Sequence, residues 1–182
     1  MLTTAEQNVV LEVVGGVNGG YGPAKLEFSR NLPNGERDGG PEGIGWRIPA
    51  GQALVITDVD WQYIHPEGAA GAGRIQILRL FIESLDKKTM RPSVRVFEST
   101  ITLSARGEGG ISESMATGFV VSSKARVCPD IFPGPGGPPF GLQHLILRGY
   151  LIQDASTELN LSRVRDVSAA LQTSRNSALL KK

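Results

Sequence analysis

Glycine and proline are confined to one part of this 182-residue chain. All 23 glycines lie between Gly15 and Gly149, and all 11 prolines lie between Pro23 and Pro139. In a helix interior, proline costs about 3 kcal/mol and glycine about 1 kcal/mol relative to alanine. The chain up to Gly149 is therefore turn-rich and unsuited to long helices, whereas the segment that follows is free to be helical.

Eight short runs of β-branched or alternating apolar residues separate the glycine and proline clusters. A series of this kind predicts an antiparallel β-sandwich, with a jelly roll as the expected form. We therefore expect an all-β domain over residues 1–154 and an α-helical extension over residues 155–182. The predicted strands are residues 7–14, 24–30, 44–48, 53–65, 74–83, 93–104, 117–127 and 142–152.

Two of these runs carry apolar side chains on both faces. An antiparallel sheet in a monomeric sandwich commonly exposes one face to water, so a second cover is expected here, either the C-terminal helix or another subunit. A β-bulge that exchanges the two faces remains an alternative for residues 74–83. The side chains predicted to contact a second copy are Leu78, Leu80 and Ile82 in the first run and Leu145, Leu147 and Leu151 in the second.

The C-terminal segment, residues 157–182, has apolar side chains at helical spacing. From Leu159 onward its net charge is +4, which leaves −3 for the remainder of the chain. We expect a basic helix that docks on the acidic body and contributes Val164, Val167 and Leu171 to the oligomer interface. A solvated, frayed tail is the alternative.

Composition argues against several classes of partner and cofactor. A formal net charge of +1 lacks the basic field with which most nucleic-acid-binding proteins attract phosphate. One cysteine and two histidines supply neither an intramolecular disulfide nor a Cys/His zinc site, and no cofactor is expected.

The sequence also bears on localisation. No apolar run approaches the roughly 20 residues that span a bilayer, so no membrane span is expected. The first residues lack the basic start of a signal peptide, which predicts a cytoplasmic protein as the sequence is written. A secreted or surface location is the alternative if a leader has been removed.

Two groups of residues are candidate ligand contacts. Asp58 and Asp60 share the polar face of the run 53–65, roughly 7 Å apart, a spacing that suits a carbohydrate or a cation as well as a plain solvated face. Phe132 and Phe140 flank the core of the Pro/Gly-rich segment 129–141, which we expect to form a surface loop. Exposed rings on such a loop favour a recognition or interface role, and a loop held against its own sheet is the alternative.

The candidate catalytic groups are sparse. His65, Glu67 and His144 would form a metal site, and Cys128 with His144 a thiolate–imidazole pair, only if the fold brought them together. No phosphate-binding loop or serine-hydrolase motif is present. We therefore predict a protein that is not an enzyme: a structural protein that forms a homo-oligomer, as a trimer, shell or fibre. A β-sandwich module that binds carbohydrate or a surface ligand is the alternative.

Overall fold

The computed structural model describes residues 6–14, 27–39, 45–85, 94–133 and 141–154. These residues form two β-sheets, one of six strands in the order β3-β2-β1-β9-β4-β7 and one of three strands in the order β6-β5-β8. A single 3-10 turn lies at Gly68–Gly71 within the described part of the chain. The strands are β1 (Asn8–Val14), β2 (Glu27–Asn31), β3 (Arg37–Asp38), β4 (Gln52–Ile64), β5 (Ile75–Ser84), β6 (Val94–Thr102), β7 (Glu108–Ser122), β8 (Ala125–Pro133) and β9 (Leu142–Gln153).

The topology confirms the all-β prediction. Within each sheet the neighbouring strands run antiparallel, and β9 lies beside β4, where the amide of Ile64 donates to the carbonyl of Gly141 at 2.8 Å. A jelly roll places its first, eighth, third and sixth strands side by side, and β1, β9, β4 and β7 follow this order. Its seventh, fourth and fifth strands correspond to β8, β5 and β6.

The chain divides into two compact units, Met1–Ile152 and Gln153–Lys182. The predicted helix over residues 155–182, with Val164, Val167 and Leu171, lies outside the described residues and stays a prediction, as does the boundary at residue 154. No helix in the described part of the chain has the length and hydropathy needed to cross a membrane.

The core lies between the inner faces of the two sheets. Alternation along β4 buries Val59, Trp61 and Tyr63 completely, because successive side chains of a strand point to opposite faces. The indole nitrogen of Trp61 donates to Ser99 Oγ at 2.9 Å, and Ser99 Oγ donates to a carboxylate oxygen of Glu113 at 2.8 Å. Since Ser99 belongs to β6 and the other two residues to β4 and β7, these bonds join the two sheets.

The leucines predicted to contact a second copy belong to this core instead. Leu78, Leu80, Leu145, Leu147 and Leu151 are all buried within the single chain. Ile82 is partly buried and also packs against the core. Because these side chains already face the opposite sheet, they are not available to another subunit, and this part of the predicted interface is corrected.

Two predicted strands also differ from the structure. Residues 45–48 form no strand, although Trp46 and Ile48 pack against the core. The single run 117–127 is divided by a turn at residues 123–124, so that its first half belongs to β7 and its second half to β8. That turn contains neither glycine nor proline, and the alternation of apolar residues continues across it. The sequence therefore does not indicate that the chain passes from one sheet to the other here.

Residues 129–133 form the end of β8 rather than part of the predicted loop. Pro129 and Pro133 lie opposite Leu80 and Gln76 of β5, four positions apart, so both proline nitrogens face the same side of the strand. An edge strand tolerates proline when the missing N–H would face away from its neighbour, and β8 is an edge strand of the small sheet. The remainder of the predicted loop, with Phe140, lies outside the described residues.

Replacing Ser99 by alanine tests the bond between the sheets. The Trp61 N–H would remain buried without an acceptor, and an unsatisfied buried donor costs about 1–3 kcal/mol. We therefore expect Ser99→Ala to lower the free energy of unfolding, measured by urea denaturation, by about that amount. Ser112→Ala, at an exposed position of β7, is the control and should change it by less than about 0.5 kcal/mol. Equal effects of the two substitutions would contradict the role of Ser99.

Candidate functional site

A cluster of charged and hydroxyl side chains lies on the outer face of the large sheet. It is built from three adjacent strands, β9, β4 and β7. We call it the polar cluster, and its members are Thr57, Asp58, Asp60, Ser114, His144 and Arg148.

The backbone of β4 changes register within this cluster. The pairing of β4 with β7 shifts between Ile56 and Asp58, which is a β-bulge. Opposite it, Gly118 has a φ of +65°, and a Cβ at this position would collide with the carbonyl of Ile56. From the pair Ile56–Phe119 to the pair Asp58–Ser114, β4 advances by two residues and β7 by five. Across this irregularity the buried core positions of β4 change from Leu54 and Ile56 to Val59 and Trp61, which leaves Asp58 and Asp60 on the outer face.

Every carboxylate of the polar cluster has hydrogen-bond partners. Asp58 accepts from the hydroxyl of Ser114 at 2.5 Å and from that of Thr57 at 2.6 Å. Asp60 lies 3.3 Å from Nε2 of His144 and accepts from Nη2 of Arg148 at 3.4 Å. The cluster therefore forms a network of charge-assisted hydrogen bonds across three strands.

The hydroxyl groups determine the titration of Asp58. The bond from Ser114, followed by that from Thr57, lowers the pKa of Asp58 below its ordinary value of 3.8. Burial acts in the opposite direction, and the charge of Arg148 adds a smaller lowering of the pKa. The carboxylate of Asp58 is thus ionised throughout the neutral pH range.

The shared face of Asp58 and Asp60 agrees with the alternation read from the sequence. The partners His144 and Arg148 were not identified from the sequence, because Asp60 and His144 lie 84 positions apart. Their spacing of four along one strand places them on the same face, which was the available signal. Among the described residues, no group of three or more His, Cys, Asp or Glu side chains could hold a metal ion.

The side chains considered for a metal site (His65, Glu67 and His144) or for a thiolate–imidazole pair (Cys128 and His144) do not lie together in the structure. His65 is buried, accepts a bond from the amide of Glu67 at Nδ1 and has Nε2 at 3.2 Å from Nη1 of Arg74. His144 pairs with Asp60 instead. Cys128 is partly buried on the outer face of the small sheet, on the opposite side of the sandwich from His144.

A second surface of functional interest is the outer face of the small sheet. Apolar side chains of β5 and β8 lie next to one another here, and each is partly exposed. We call this surface the apolar face, and its members are Ile75, Ile77, Phe81, Cys128 and Phe132.

Phe132 lies on a strand rather than on a loop. It pairs with Ile77, and its ring lies 4.1 Å from the guanidinium carbon of Arg79. Arg79 also makes an ion pair with Glu98 at 2.6 Å. The cation–π contact and the ion pair hold Arg79 on the apolar face, between Phe132 and Glu98. Arg79 was missed from the sequence because it interrupts an otherwise apolar run.

The chain matches no known protein-family model, and no curated protein is similar to it.

Acidification tests the network around Asp58. A carboxyl with a lowered pKa in the folded state stabilises the fold above its unfolded pKa, near 3.8, and this contribution is lost as the pH falls through the lower folded value. Between about pH 5 and pH 2.5, the free energy of unfolding of Asp58→Asn should therefore decrease less steeply than that of the unmodified protein. Ser112→Ala, which removes no titratable group from β7, should retain the original slope. Chemical denaturation at a series of pH values measures the slopes, and identical slopes for all three proteins would contradict this reading.

Proposed function

We propose that the protein is a non-enzymatic assembly protein whose copies associate through the apolar face of the small sheet. The observation that carries this proposal is the pattern of β5, the central strand of that sheet. Its inner side chains Leu78 and Leu80 fill the core, whereas its outer side chains Ile75, Ile77 and Phe81 remain partly exposed. Neighbouring apolar side chains that stay partly exposed are found at protein–protein contacts.

The charges on the same face support association with a second copy. Among the described residues, three arginines and three carboxylates flank the apolar residues, so their charges cancel. Arg79 and Arg95 pair with Glu98, and Arg126 pairs with Glu83 at 2.9 Å. The third carboxylate, Asp130, lies opposite Arg79.

A face whose charges cancel can pack against the same face of a second copy without net like-charge repulsion. In a two-fold interface the same patch is present on both partners, so self-complementarity is required. Such a contact gives a dimer. A trimer, shell or fibre needs a further contact, for which the predicted helix over residues 157–182, with Val164, Val167 and Leu171, is the candidate.

The carbohydrate-binding alternative would use the polar cluster. Asp58 and Asp60 are both engaged in hydrogen bonds there, and Trp61 is buried, so it offers no stacking surface to a sugar. His144 and Tyr150 are the rings that remain partly exposed on β9. This arrangement favours assembly over sugar binding as the principal function.

A substitution at an exposed position of the apolar face tests assembly with little risk to folding. Thr100 is exposed on β6 and lies opposite Ile77, so Thr100→Glu places an unpaired charge against the apolar residues. At roughly 50 µM we expect an oligomer for the unmodified protein and a smaller particle mass for Thr100→Glu, because the two-fold contact is lost, by size-exclusion chromatography with light scattering.

Two further proteins complete the experiment. Thr117→Glu introduces the same change at an exposed position of β7 in the other sheet and should leave the oligomer intact. Deletion of residues 157–182 should leave a dimer if the apolar face forms the two-fold contact. A monomeric unmodified protein, or an oligomer unaffected by Thr100→Glu with an unchanged melting temperature, would refute assembly through this face.

A further inference from the structure

The edges of the two sheets differ in how well they are protected against pairing with another chain. An edge strand presents N–H and C=O groups that a further strand can bond, and proteins usually blunt such edges with short strands, prolines, lysines or bulges. Within the described part of the chain, the edge strands are β3 and β7 of the large sheet and β6 and β8 of the small sheet.

The edges of β3, β7 and β8 each carry a blunting feature. β3 has only two residues. The pairing of β7 with β4 is irregular next to Gly118, which has a φ of +65°. β8 contains Pro129 and Pro133, and each proline lacks the N–H with which an edge residue would donate to a further strand. These edges are therefore poor templates for another strand.

The edge of β6 has a longer regular stretch. A register shift opposite Leu80 and Phe81 interrupts β6 at Val96. From Phe97 to Thr102 the pairing with β5 is continuous, and this stretch contains no glycine, proline or lysine. Its β-branched and aromatic residues also favour an extended strand. We call Phe97–Thr102 the β6 edge.

The residues just after β6 show which backbone groups face away from β5. The amide of Leu103 donates to the carbonyl of Arg74 at 2.9 Å, and its carbonyl accepts from the amide of Gly73 at 3.0 Å. In an antiparallel ladder, residues that bond one neighbour alternate with residues that face the other side. The next residue, Ser104, accordingly donates its amide hydrogen to Glu108 at 2.8 Å, away from β5.

The same alternation identifies the open backbone groups of the β6 edge. Glu98, Thr100 and Thr102 direct their N–H and C=O groups away from β5, and all three residues are exposed. Their donors and acceptors alternate at the spacing of an extended chain, which is the arrangement used when a strand is added to a sheet.

We propose that the β6 edge pairs antiparallel with the β6 edge of a second copy, which joins the two small sheets into one continuous sheet. The two-fold axis passes beside Thr100, so that Thr100 lies opposite its own counterpart. Glu98 then lies opposite Thr102 of the other copy, and no like charges meet. Pairing centred on Glu98 would bring two carboxylates together, so the charges select one register.

This contact is separate from the apolar face. It uses the edge of the small sheet, whereas the proposed assembly uses the outer surface of that sheet, and neither contact requires the other. Two different two-fold contacts on one chain close into a tetramer or continue as a fibre, depending on the directions of their axes. The β6 edge is therefore a second candidate for the further contact that a larger assembly needs.

Amide hydrogen exchange of the unmodified full chain tests the pairing directly. An unbonded edge amide exchanges without any opening of the structure, whereas an amide bonded to a second copy exchanges only after dissociation. By residue-resolved mass spectrometry, we expect the amides of Glu98, Thr100 and Thr102 to exchange at least about tenfold more slowly at roughly 50 µM than at roughly 0.5 µM. Equal rates at the two concentrations, in a protein that is oligomeric at the higher one, would overturn the proposal.

Thr100→Pro removes the central donor of the β6 edge. Because the N–H of Thr100 faces away from β5, the substitution leaves the ladder inside the small sheet intact. By size-exclusion chromatography with light scattering, Thr100→Pro should have a smaller particle mass, whereas Thr100→Val keeps the N–H and should retain the original mass. If Thr100→Pro does not fold, the exchange rates of the unmodified protein decide. A folded Thr100→Pro with the original mass would overturn the proposal.

Phe81→Lys separates the edge from the apolar face. Thr100→Glu adds charge to both contacts, whereas Phe81 lies on the central strand β5 opposite Arg95, outside the β6 edge. We expect Phe81→Lys to lower the mass while the amides of the β6 edge stay protected. Loss of mass with Thr100→Pro alone would support the edge and refute the face. Loss with Phe81→Lys alone, with unprotected edge amides, would refute the edge and support the face, and a monomeric unmodified protein would refute both.

Discussion

The hydrogen bonds from Trp61 to Ser99 and from Ser99 to Glu113 constrain the whole sandwich. Apolar burial is non-directional, so it specifies which faces pack together more than which residues meet. A buried indole N–H requires its acceptor within hydrogen-bond distance, so the position of β6 relative to β4 is fixed at Ser99. Ser99 thus contacts both β4 and β7, so one residue of the small sheet is held against two strands of the large sheet.

This alignment gives the two outer faces different chemistry. On the large sheet, β4 sits between β9 and β7, so the acidic side chains of β4 face cationic and hydroxyl groups from both neighbours. On the small sheet, β5 sits in the centre and places apolar side chains between two flanking strands. The large sheet also exposes apolar side chains, Ile111, Val120 and Ile152, but its centre is occupied by the hydrogen-bonded polar cluster. The small sheet instead places partly exposed apolar side chains next to one another at its centre. For this reason the small sheet is the better candidate for contact with another molecule.

Much of the fold could be predicted from local sequence, but the choice between two similar faces could not. The glycine and proline positions identified the turns, and the alternation of Val59 and Trp61 with Asp60 identified the buried face of β4. In β9, however, Ile146 and Tyr150 resemble Leu145 and Leu147 in polarity, and only the opposite sheet determines which side is the core. The pairing of His144 with Asp60 could not be predicted for a similar reason, because it depends on β9 and β4 being neighbours in the sheet. Pro129 and Pro133 predict a loop, because a strand tolerates proline mainly at the edge of a sheet. The sequence does not show that β8 is an edge strand.

The ion pair between Arg126 and Glu83 lies at the edge of the apolar face. Arg126 also neighbours Val127, whose side chain is part of the core. Replacing Arg126 would therefore change the charge of the face and the packing at the edge of β8 together, and the result could not be attributed to one of them. Thr100 avoids this difficulty, because it is exposed on β6 and lies opposite Ile77 of the apolar face. A change of mass after substitution at Thr100, with an unchanged free energy of unfolding, therefore reports on contacts of the small sheet with a second copy and not on the core.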